Sequence, residues 1–293
     1  QFVEQSTIVA IQNGEFGWDN ETTLLKNVNL DVKIGDFLVV HGTVGCGKSS
    51  LCSALLGEMV KRQGTVFVGG SVAYCSQQPW IQNLTVRDNI LFGLPFDRKK
   101  YDKVLDACAL TTDLKSLPAG DKTEIGERGV NVSGGQKARI ALARACYSDA
   151  SVFILDSPLS AVDAIVQNEI FQKCMLGLLR NKTIILVTHN PEIISSEYIT
   201  RAITIDEIGT VVETHQVLSR PDHLPLVSPL PAHGYTAIPS FVDSDGTTEG
   251  QSTSDDAPTF EEMKELNDEI ALDSPFNTPR VKTFGETGDG KDA

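Results

Sequence analysis

Glycine, lysine and serine residues at fixed spacing form the first candidate site in this sequence. The segment GTVGCGKS, from Gly42 to Ser49, fits the pattern G-x-x-x-x-G-K-[ST] and lies between a predicted strand and a predicted helix. Gly45 and Gly47 allow the backbone N–H groups of such a loop to close around phosphate oxygens. Lys48 supplies a positive charge, and the Ser49 hydroxyl can bind Mg²⁺. An ordinary glycine-rich turn is the alternative, and the flanking strand and helix argue against it.

A carboxylate at the end of an apolar strand forms the second candidate site. The residues VFILD, from Val152 to Asp156, are four apolar side chains followed by an acid. Because neither face of such a strand is polar, the strand should lie inside a parallel sheet. In nucleoside triphosphatases with a phosphate loop, a carboxylate of this kind holds Mg²⁺ together with the loop serine. Beside the glycine-rich loop, Asp156 is therefore predicted to be a metal ligand.

A third segment, NVSGGQKARIALARA, places Ser133, Gly134 and Gly135 at the start of a predicted helix. Serine is a preferred helix N-cap, so on its own this segment is explained as a cap with glycine neighbours. Together with the first two candidates, it is predicted to be a further nucleotide contact.

The elements that must position these residues indicate an α/β fold. Strands are predicted at Phe37–Val40, at Val152–Leu155 and in KTIILVTH, all apolar and separated by helical stretches, which is typical of a parallel sheet covered on both sides. Alternating runs near Val66 and Val72 predict two more strands. The stretch 86–147 is predicted to be mostly helical, and RAITIDEIGTVVETH predicts a closing hairpin.

Composition limits the function classes. Hydrophobic residues are 41% of the chain and charged residues 22%, enough for an ordinary globular core. The net charge of -14 argues against nucleic acid or an anionic membrane surface as the main partner. Six cysteines without a C-x-x-C pair predict reduced, mostly buried thiols of a cytosolic protein. With no initiator methionine, no signal peptide and no apolar run of about 18 residues, we expect a piece of a longer protein.

The segment 217–293 differs from the rest in composition. From residue 216 onward there are 15 acidic and 5 basic residues, so -10 of the net charge lies there. Rich in Pro, Ser, Thr, Gly and Asp, it is predicted to be a mostly disordered acidic linker. Thr259 and Glu262 form a capping-box pattern before a candidate short helix at 260–272, either a docking helix or a transient one. Serines and threonines before proline make the tail a candidate kinase target, with a passive spacer as the alternative.

Taken together, the segments from Ile8 to about His215 resemble the ATP-binding-cassette (ABC) transporter family. VSGGQ is similar to its signature motif, YCSQQPW to its Q-loop, SAVD to its D-loop, and LVTH to the motif that ends in its switch histidine. The resemblance implies a P-loop NTPase (RecA-like) core with a parallel sheet, an antiparallel β subdomain and an α-helical signature subdomain at about 86–147. This nucleotide-binding domain would occupy residues 1–216.

The resemblance also implies the site residues, and the cofactors ATP and Mg²⁺. ATP would be bound by Trp18, Gly42, Thr43, Val44, Gly45, Cys46, Gly47, Lys48, Ser49, Ser50 and Gln77, with Ser49, Gln77 and Asp156 as metal ligands and His189 and Gln77 as catalytic residues. The signature residues Val132, Ser133, Gly134, Gly135 and Gln136 would contact ATP on a second domain, which Asp163 would also touch.

Finer similarity is to the first nucleotide-binding domain of C-subfamily transporters, the multidrug-resistance-associated type, and is carried by VAYCSQQPWIQNLTVRDNILFG and DSPLSAVDA. It implies two ATP molecules bound head to tail between two domains. The partners would be a second nucleotide-binding domain and the transmembrane domains of the same transporter, at the cytoplasmic face of a membrane. The implied function is ATP-driven export of organic anions, conjugates or drugs. An ATP-binding module that gates a channel, with little hydrolysis, is the alternative.

Ser157 departs from the family pattern, because the residue after the strand aspartate is usually a glutamate that serves as general base. A serine hydroxyl does not accept a proton near neutral pH, and loss of a general base costs about 10²–10⁴-fold in rate. We therefore expect this chain to bind ATP with low turnover. The alternative is that Ser157 caps the backbone before Pro158 and that Asp163 or His189 acts as the base.

Overall fold

The computed structural model describes residues 6–126 and 130–216. The predictions made for residues 217–293, including the helix at 260–272 and the kinase target, lie outside the described residues. Within them the strands are β1 (Thr7–Gly17), β2 (Leu25–Lys33), β3 (Phe37–His41), β4 (Val60–Val68), β5 (Val72–Cys75), β6 (Val152–Asp156), β7 (Thr183–Val187), β8 (Arg201–Ile205) and β9 (Val211–Gln216). The α-helices are α1 (Lys48–Leu56), α2 (Val86–Leu91), α3 (Arg98–Ala107), α4 (Thr111–Ser116), α5 (Gly134–Tyr147), α6 (Ala164–Ile170) and α7 (Pro191–Ile194).

The strands that lead into the candidate site belong to a six-stranded sheet with the order β5-β6-β7-β3-β8-β9. Its first five strands are parallel and β9 is antiparallel to β8. Val40 on β3 and Asp156 on β6 both pair with Val187 on β7, so their carboxyl ends meet at one edge. With strands about 4.8 Å apart, Asp156 lies about 10 Å from the end of β3. The predicted parallel sheet and closing hairpin are confirmed.

The second sheet is antiparallel, with the order β2-β1-β4. The resemblance implied this subdomain, but we did not predict β1 and β2 individually. The reason is that the register between them shifts around Gly14, so buried and exposed positions do not alternate along β1. Leu25, Val28 and Leu51 are fully or almost fully buried between this sheet, α1 and the parallel sheet. This core fixes α1, whose first turn belongs to the candidate site.

The helices α2 to α5 pack around a separate core on the other side of the parallel sheet, together with a π-helical segment, Phe171–Leu178. Tyr147 is 1% exposed, and its hydroxyl accepts a hydrogen bond from the Asp97 N–H at 2.7 Å. All six cysteines are free and five are buried, as predicted. The sulfur atoms of Cys108, Cys146 and Cys174 all lie within 4.8 Å of one another in this core. No helix in the described part of the chain has both the length and the apolar character needed to cross a membrane.

Candidate nucleotide-binding site

The glycine-rich loop connects β3 to α1, as its sequence predicts. Gly42 has φ of 128° and Gly47 has φ of 104°, a region that favours glycine. A Cβ at Gly42 would also meet Thr204 Oγ1 at 2.6 Å, so no other residue fits without a shift of its neighbours. Thr43, Val44, Gly45 and Ser49 are exposed along the loop, and Cys46 is half-buried. The loop therefore presents its backbone to solvent in the arrangement that suits an anion.

Lys48 is 7% exposed and lies at the centre of this loop. Its Nζ donates hydrogen bonds to the carbonyl oxygens of Gly42 at 3.1 Å and of Thr43 at 2.6 Å. Among the described residues, no carboxylate lies within 4 Å of Nζ to form an ion pair. A buried charge is stable only when it is paired. The Lys48 ammonium therefore suits a phosphate group. Burial lowers the pKa of neighbouring His41, and the charge of Lys48 lowers it further.

Asp156 places a carboxylate beside α1. It is 2% exposed at the end of β6, and the Ser157 hydroxyl donates to its Oδ1 at 3.4 Å. Burial raises the pKa of the Cys52 thiol, and the charge of Asp156 raises it further. Since Cys52 follows Ser49 by one turn of α1, the carboxylate and the serine hydroxyl belong to the same neighbourhood. Carboxylate and hydroxyl oxygens are the ligands that Mg²⁺ prefers, so these two residues fit that ion.

Ser157 begins the aspartate loop, residues 157–163, which joins β6 to α6. Its φ of 50° lies in the left-handed region that L-residues other than glycine rarely adopt. Its N–H donates to the Val187 carbonyl oxygen at 3.1 Å, and its side chain is 9% exposed with the hydroxyl turned to Asp156. The strained backbone is held by this strand contact.

A cavity of about 490 Å³ lies between the aspartate loop and the histidine loop, residues 188–190. Ser157, Ser160 and His189 line it, and so does Glu192, which we did not predict to belong to the site. Its lining includes neither the glycine-rich loop nor Gln77. Within the described structure the glycine-rich loop and the residues around His189 therefore form two separate groups, a phosphate-binding group at β3 and α1 and a group of loop residues that line the cavity.

Trp18 and Gln77 lie at the margins of the site. Trp18 is 58% exposed, and its Nε1 donates to Ser50 Oγ at 3.3 Å. An exposed indole next to the first turn of α1 is placed to stack on a base. Gln77 is exposed in the loop after β5. The position of Gln77 relative to Ser49 and Asp156 therefore depends on the conformation of this loop.

The signature segment forms the start of α5. Ser133 is the N-cap: its Oγ accepts from the Gln136 N–H at 3.2 Å, and its own N–H donates to Gln136 Oε1 at 2.9 Å. Gln136 Nε2 also donates to Asp113 Oδ1 at 3.0 Å, and Val132 is buried in the helical core. The side chains of Gln136 and Val132 are thus engaged within the domain, while Ser133 and Gly134 are exposed.

Comparison with known proteins identifies the fold. Residues 25–160 match the ABC transporter family. This chain carries an ABC transporter domain. It is 58% identical over 187 residues to the multidrug resistance protein mrp-7 of Caenorhabditis elegans, covering 62% of this chain and 12% of that protein. It is 52% identical over 197 residues to ATP-binding cassette sub-family C member 3 of Rattus norvegicus, covering 64% and 13%.

A plant relative extends the similarity. This chain is 41% identical over 283 residues to ABC transporter C family member 7 of Arabidopsis thaliana, and the match covers 95% of this chain. It spans less than a fifth of the length of these relatives, from 12% to 18%. The relatives are C-subfamily transporters, as the resemblance implied.

The matched range of the ABC domain includes the glycine-rich loop, Gln77, the signature segment and Asp156, and leaves out Trp18, Asp163 and His189. Besides Glu192 and Arg139, three further polar residues were not predicted. Asp113, Gln167 and Asn190 each bond to a functional segment, but ordinary polar residues on short helices or at their caps carry no distinguishing sequence signal. Only the fold brings them to the site.

Proposed function

We propose that this ABC domain is the ATP-binding domain of an exporter of organic anions, conjugates or drugs. The name of the nematode relative, a multidrug resistance protein, supports this class of cargo. We propose further that a second nucleotide-binding domain and transmembrane domains of the same transporter are its partners, at the cytoplasmic face of a membrane. The relatives are several times longer than this chain, which leaves room for both.

ATP binding rests on the phosphate-binding group. The loop 42–49 and Lys48 would hold the phosphates, Trp18 the adenine, and Ser49 with Asp156 the Mg²⁺, with Gln77 joining the metal from its exposed loop. When bound, Mg²⁺ neutralises charge on the phosphate chain. Lys48 is buried, and no carboxylate of the described residues lies within 4 Å of its Nζ, which supports this assignment because a phosphate would supply the counter-charge.

Low turnover at this chain's own site follows from Ser157, and this is the single observation that carries the proposal. The Ser157 hydroxyl donates to Asp156, and an alcohol oxygen, unlike a carboxylate, is too weak a base to take a proton from water near neutral pH. Glu192 is the one carboxylate among the described residues lining the cavity, and it lies in the first turn of α7. His189 would contact the terminal phosphate without supplying a general base. The site would bind ATP and hydrolyse it slowly.

The signature segment would serve the partner's ATP. Ser133 and Gly134 are exposed at the N-terminus of a 14-residue helix, where backbone N–H groups favour an anion. Asp163 is exposed and caps α6 through the Val166 N–H at 3.0 Å, so its loop has a fixed shape to offer a second domain. In this proposal the chain completes a competent site elsewhere.

An apolar patch near Gln77 supports contact with transmembrane domains. Trp80 and Phe92 are more than half exposed, and their ring centroids are 6.1 Å apart in an edge arrangement. The Arg144 guanidinium lies 5.3 Å from one ring centroid and 5.0 Å from the other. Exposed aromatic pairs with an arginine are typical of protein interfaces.

The test measures ATP binding and turnover by the purified 293-residue chain. Wild type should bind Mg-ATP with turnover near background, and Ser157→Glu should raise turnover by about 10²-fold, since a general base contributes about 10²–10⁴-fold. Lys48→Ala is the control, in which ATP should bind roughly 100-fold more weakly. Glu192→Gln tests whether the other carboxylate acts as the base. Brisk wild-type hydrolysis that is lost in Lys48→Ala would contradict the slow site, and loss in Glu192→Gln would identify the substitute base.

A further inference from the structure

The side chain of Gln167 connects the aspartate loop to the histidine loop. Gln167 lies on α6, half-buried, and lines the cavity between the two loops. Its Nε2 donates hydrogen bonds to the carbonyl oxygens of Leu159 at 3.0 Å and of Val162 at 2.8 Å. Its Oε1 accepts from Asn190 Nδ2 at 3.0 Å. Both amide hydrogens are therefore used on the aspartate loop, and the oxygen is used on the histidine loop.

Asn190 is fixed on its own side of this contact. Its Oδ1 accepts from the Glu192 N–H at 2.9 Å and so caps α7, and its N–H donates to Thr188 Oγ1 at 3.1 Å. Because its Oδ1 is bonded to the Glu192 N–H and its Nδ2 to Gln167, the Asn190 side chain is held in one orientation. A movement of His189, the residue before it, must then either carry Asn190 along or break its bond to Gln167.

The aspartate loop reaches the signature segment on its other side. The Ala161 carbonyl oxygen lies so close to Gly135 that a Cβ built there would be 2.8 Å from it. A continuous series of contacts thus runs from the histidine loop through Asn190 and Gln167 to the aspartate loop, and from there to α5. Energetic coupling between sites is carried by contiguous packed and hydrogen-bonded groups of this kind.

We propose that the hydrogen bond between Gln167 and Asn190 couples the two loops, so that ATP sensed at His189 positions the aspartate loop and the signature segment for the partner domain's ATP. Gln167 and Asn190 are positioning residues, since neither would touch the nucleotide. This inference rests on the proposed function, in which the partner's site performs the hydrolysis. It assigns to these two residues the connection between a slow site and a competent one.

A purely structural role would stiffen the two loops without coupling them, so the test separates stability from turnover. In the full-length transporter, Gln167→Met removes all three side-chain hydrogen bonds at similar length and without charge. Asn190→Asp keeps the oxygen that caps α7 but loses the donor to Gln167. Asn168→Asp, the exposed next residue on α6, is the matched control for added charge. ATPase kcat and KM, ATP affinity at this domain and Tm are measured for each.

We expect Gln167→Met and Asn190→Asp each to lower kcat about fivefold, equivalent to about 1 kcal/mol for one hydrogen bond, with ATP affinity at this domain unchanged. The double variant should lose no more than the worse single variant, because both changes break the same connection. Asn168→Asp should stay within about twofold of wild type. Losses that add in the double variant, or that follow a fall in Tm or in ATP affinity, would overturn the proposal.

Failure of this inference is distinct from failure of the proposed function. Turnover that survives unchanged in Gln167→Met, in a transporter whose own Ser157 site is slow, contradicts the coupling alone. Fast hydrolysis at the Ser157 site contradicts the proposed function, and the additivity of the two substitutions still decides whether the residues are coupled.

Discussion

At the glycine-rich loop a buried side chain is held by backbone carbonyls, whereas at the signature segment an exposed backbone is held by side chains. Lys48 is 7% exposed and donates to two carbonyl oxygens of its own loop. Ser133 and Gly134 are exposed, and Gln136 holds them through the cap and through Asp113. Arg139 reinforces the second arrangement, since its Nη1 lies 2.8 Å from Asp113 Oδ2.

The difference follows from the elements that carry the two segments. The loop follows β3, whose four apolar residues are completely buried between neighbouring parallel strands, so its geometry depends on the sheet. Among the named elements of the described residues, none is a strand that leads into the signature segment, and this segment depends on contacts with α4 and with the aspartate loop. Substitutions at the first segment should therefore change ligand binding, whereas substitutions around the second should change local stability and the partner's site.

The largest effect is expected for Lys48→Ala. The substitution removes the buried cation, and hydrogen bonds of charged groups contribute about 1.5–3 kcal/mol, so ATP should bind roughly 100-fold more weakly. Titration of the 293-residue chain with a fluorescent ATP analogue measures the change. Lys61→Ala, an exposed lysine on β4, is the control and should bind as wild type does. Equal affinities for wild type and Lys48→Ala would remove the glycine-rich loop from the ATP site.

The adjacent signature glycines should respond differently to alanine. At Gly135 a Cβ would lie 2.8 Å from the Ala161 carbonyl oxygen, whereas at Gly134 it would lie 3.9 Å from the Ala161 Cβ, an ordinary contact. Overpacking costs about 1–3 kcal/mol, and the helix propensity of alanine returns up to about 1 kcal/mol, so Gly135→Ala should destabilise the chain by about 1–2 kcal/mol. Gly134→Ala should be near neutral. Urea unfolding of wild type, Gly134→Ala and Gly135→Ala measures the difference. Equal free energies of unfolding would show that the aspartate loop shifts away from a Cβ at residue 135 without cost.

The glycine-rich loop could be predicted from the sequence more completely than the contacts of the signature segment. The loop 42–49, its strand and its helix were predicted because glycine spacing and apolar runs report local backbone geometry directly. A helix cap at Ser133 was only the alternative explanation of that segment. Asp113, Arg139 and Gln167 were not predicted, because each has a partner 23 or more residues away along the chain. Strands β1 and β2 were missed for a related reason, since bulges erase the alternation that marks a strand.

Asp113→Asn tests the side-chain network that holds the signature segment. The carboxylate accepts from Gln136 and pairs with Arg139, and both members of the ion pair are at most 20% exposed. Losing the charge should cost about 1 kcal/mol, more than the 0–0.5 kcal/mol expected for Asp102→Asn. Asp102 pairs with Arg98 at 2.7 Å, but both side chains are more than half exposed. Thermal unfolding of the two variants compares them, and equal Tm shifts would mean that the signature segment does not depend on Asp113.

The smallest effect is expected for the aromatic contact of the ATP site. Trp18 is 58% exposed, so its ring should contribute near the lower end of the roughly 1–3 kcal/mol seen for stacking on a base, about a fivefold loss of ATP affinity in Trp18→Ala. The chain has two tryptophans, and Trp80→Phe leaves Trp18 as the sole indole. In that background ATP should quench the fluorescence of Trp18. If quenching requires Trp80 instead, the adenine lies at the aromatic patch near Gln77 and not beside the glycine-rich loop.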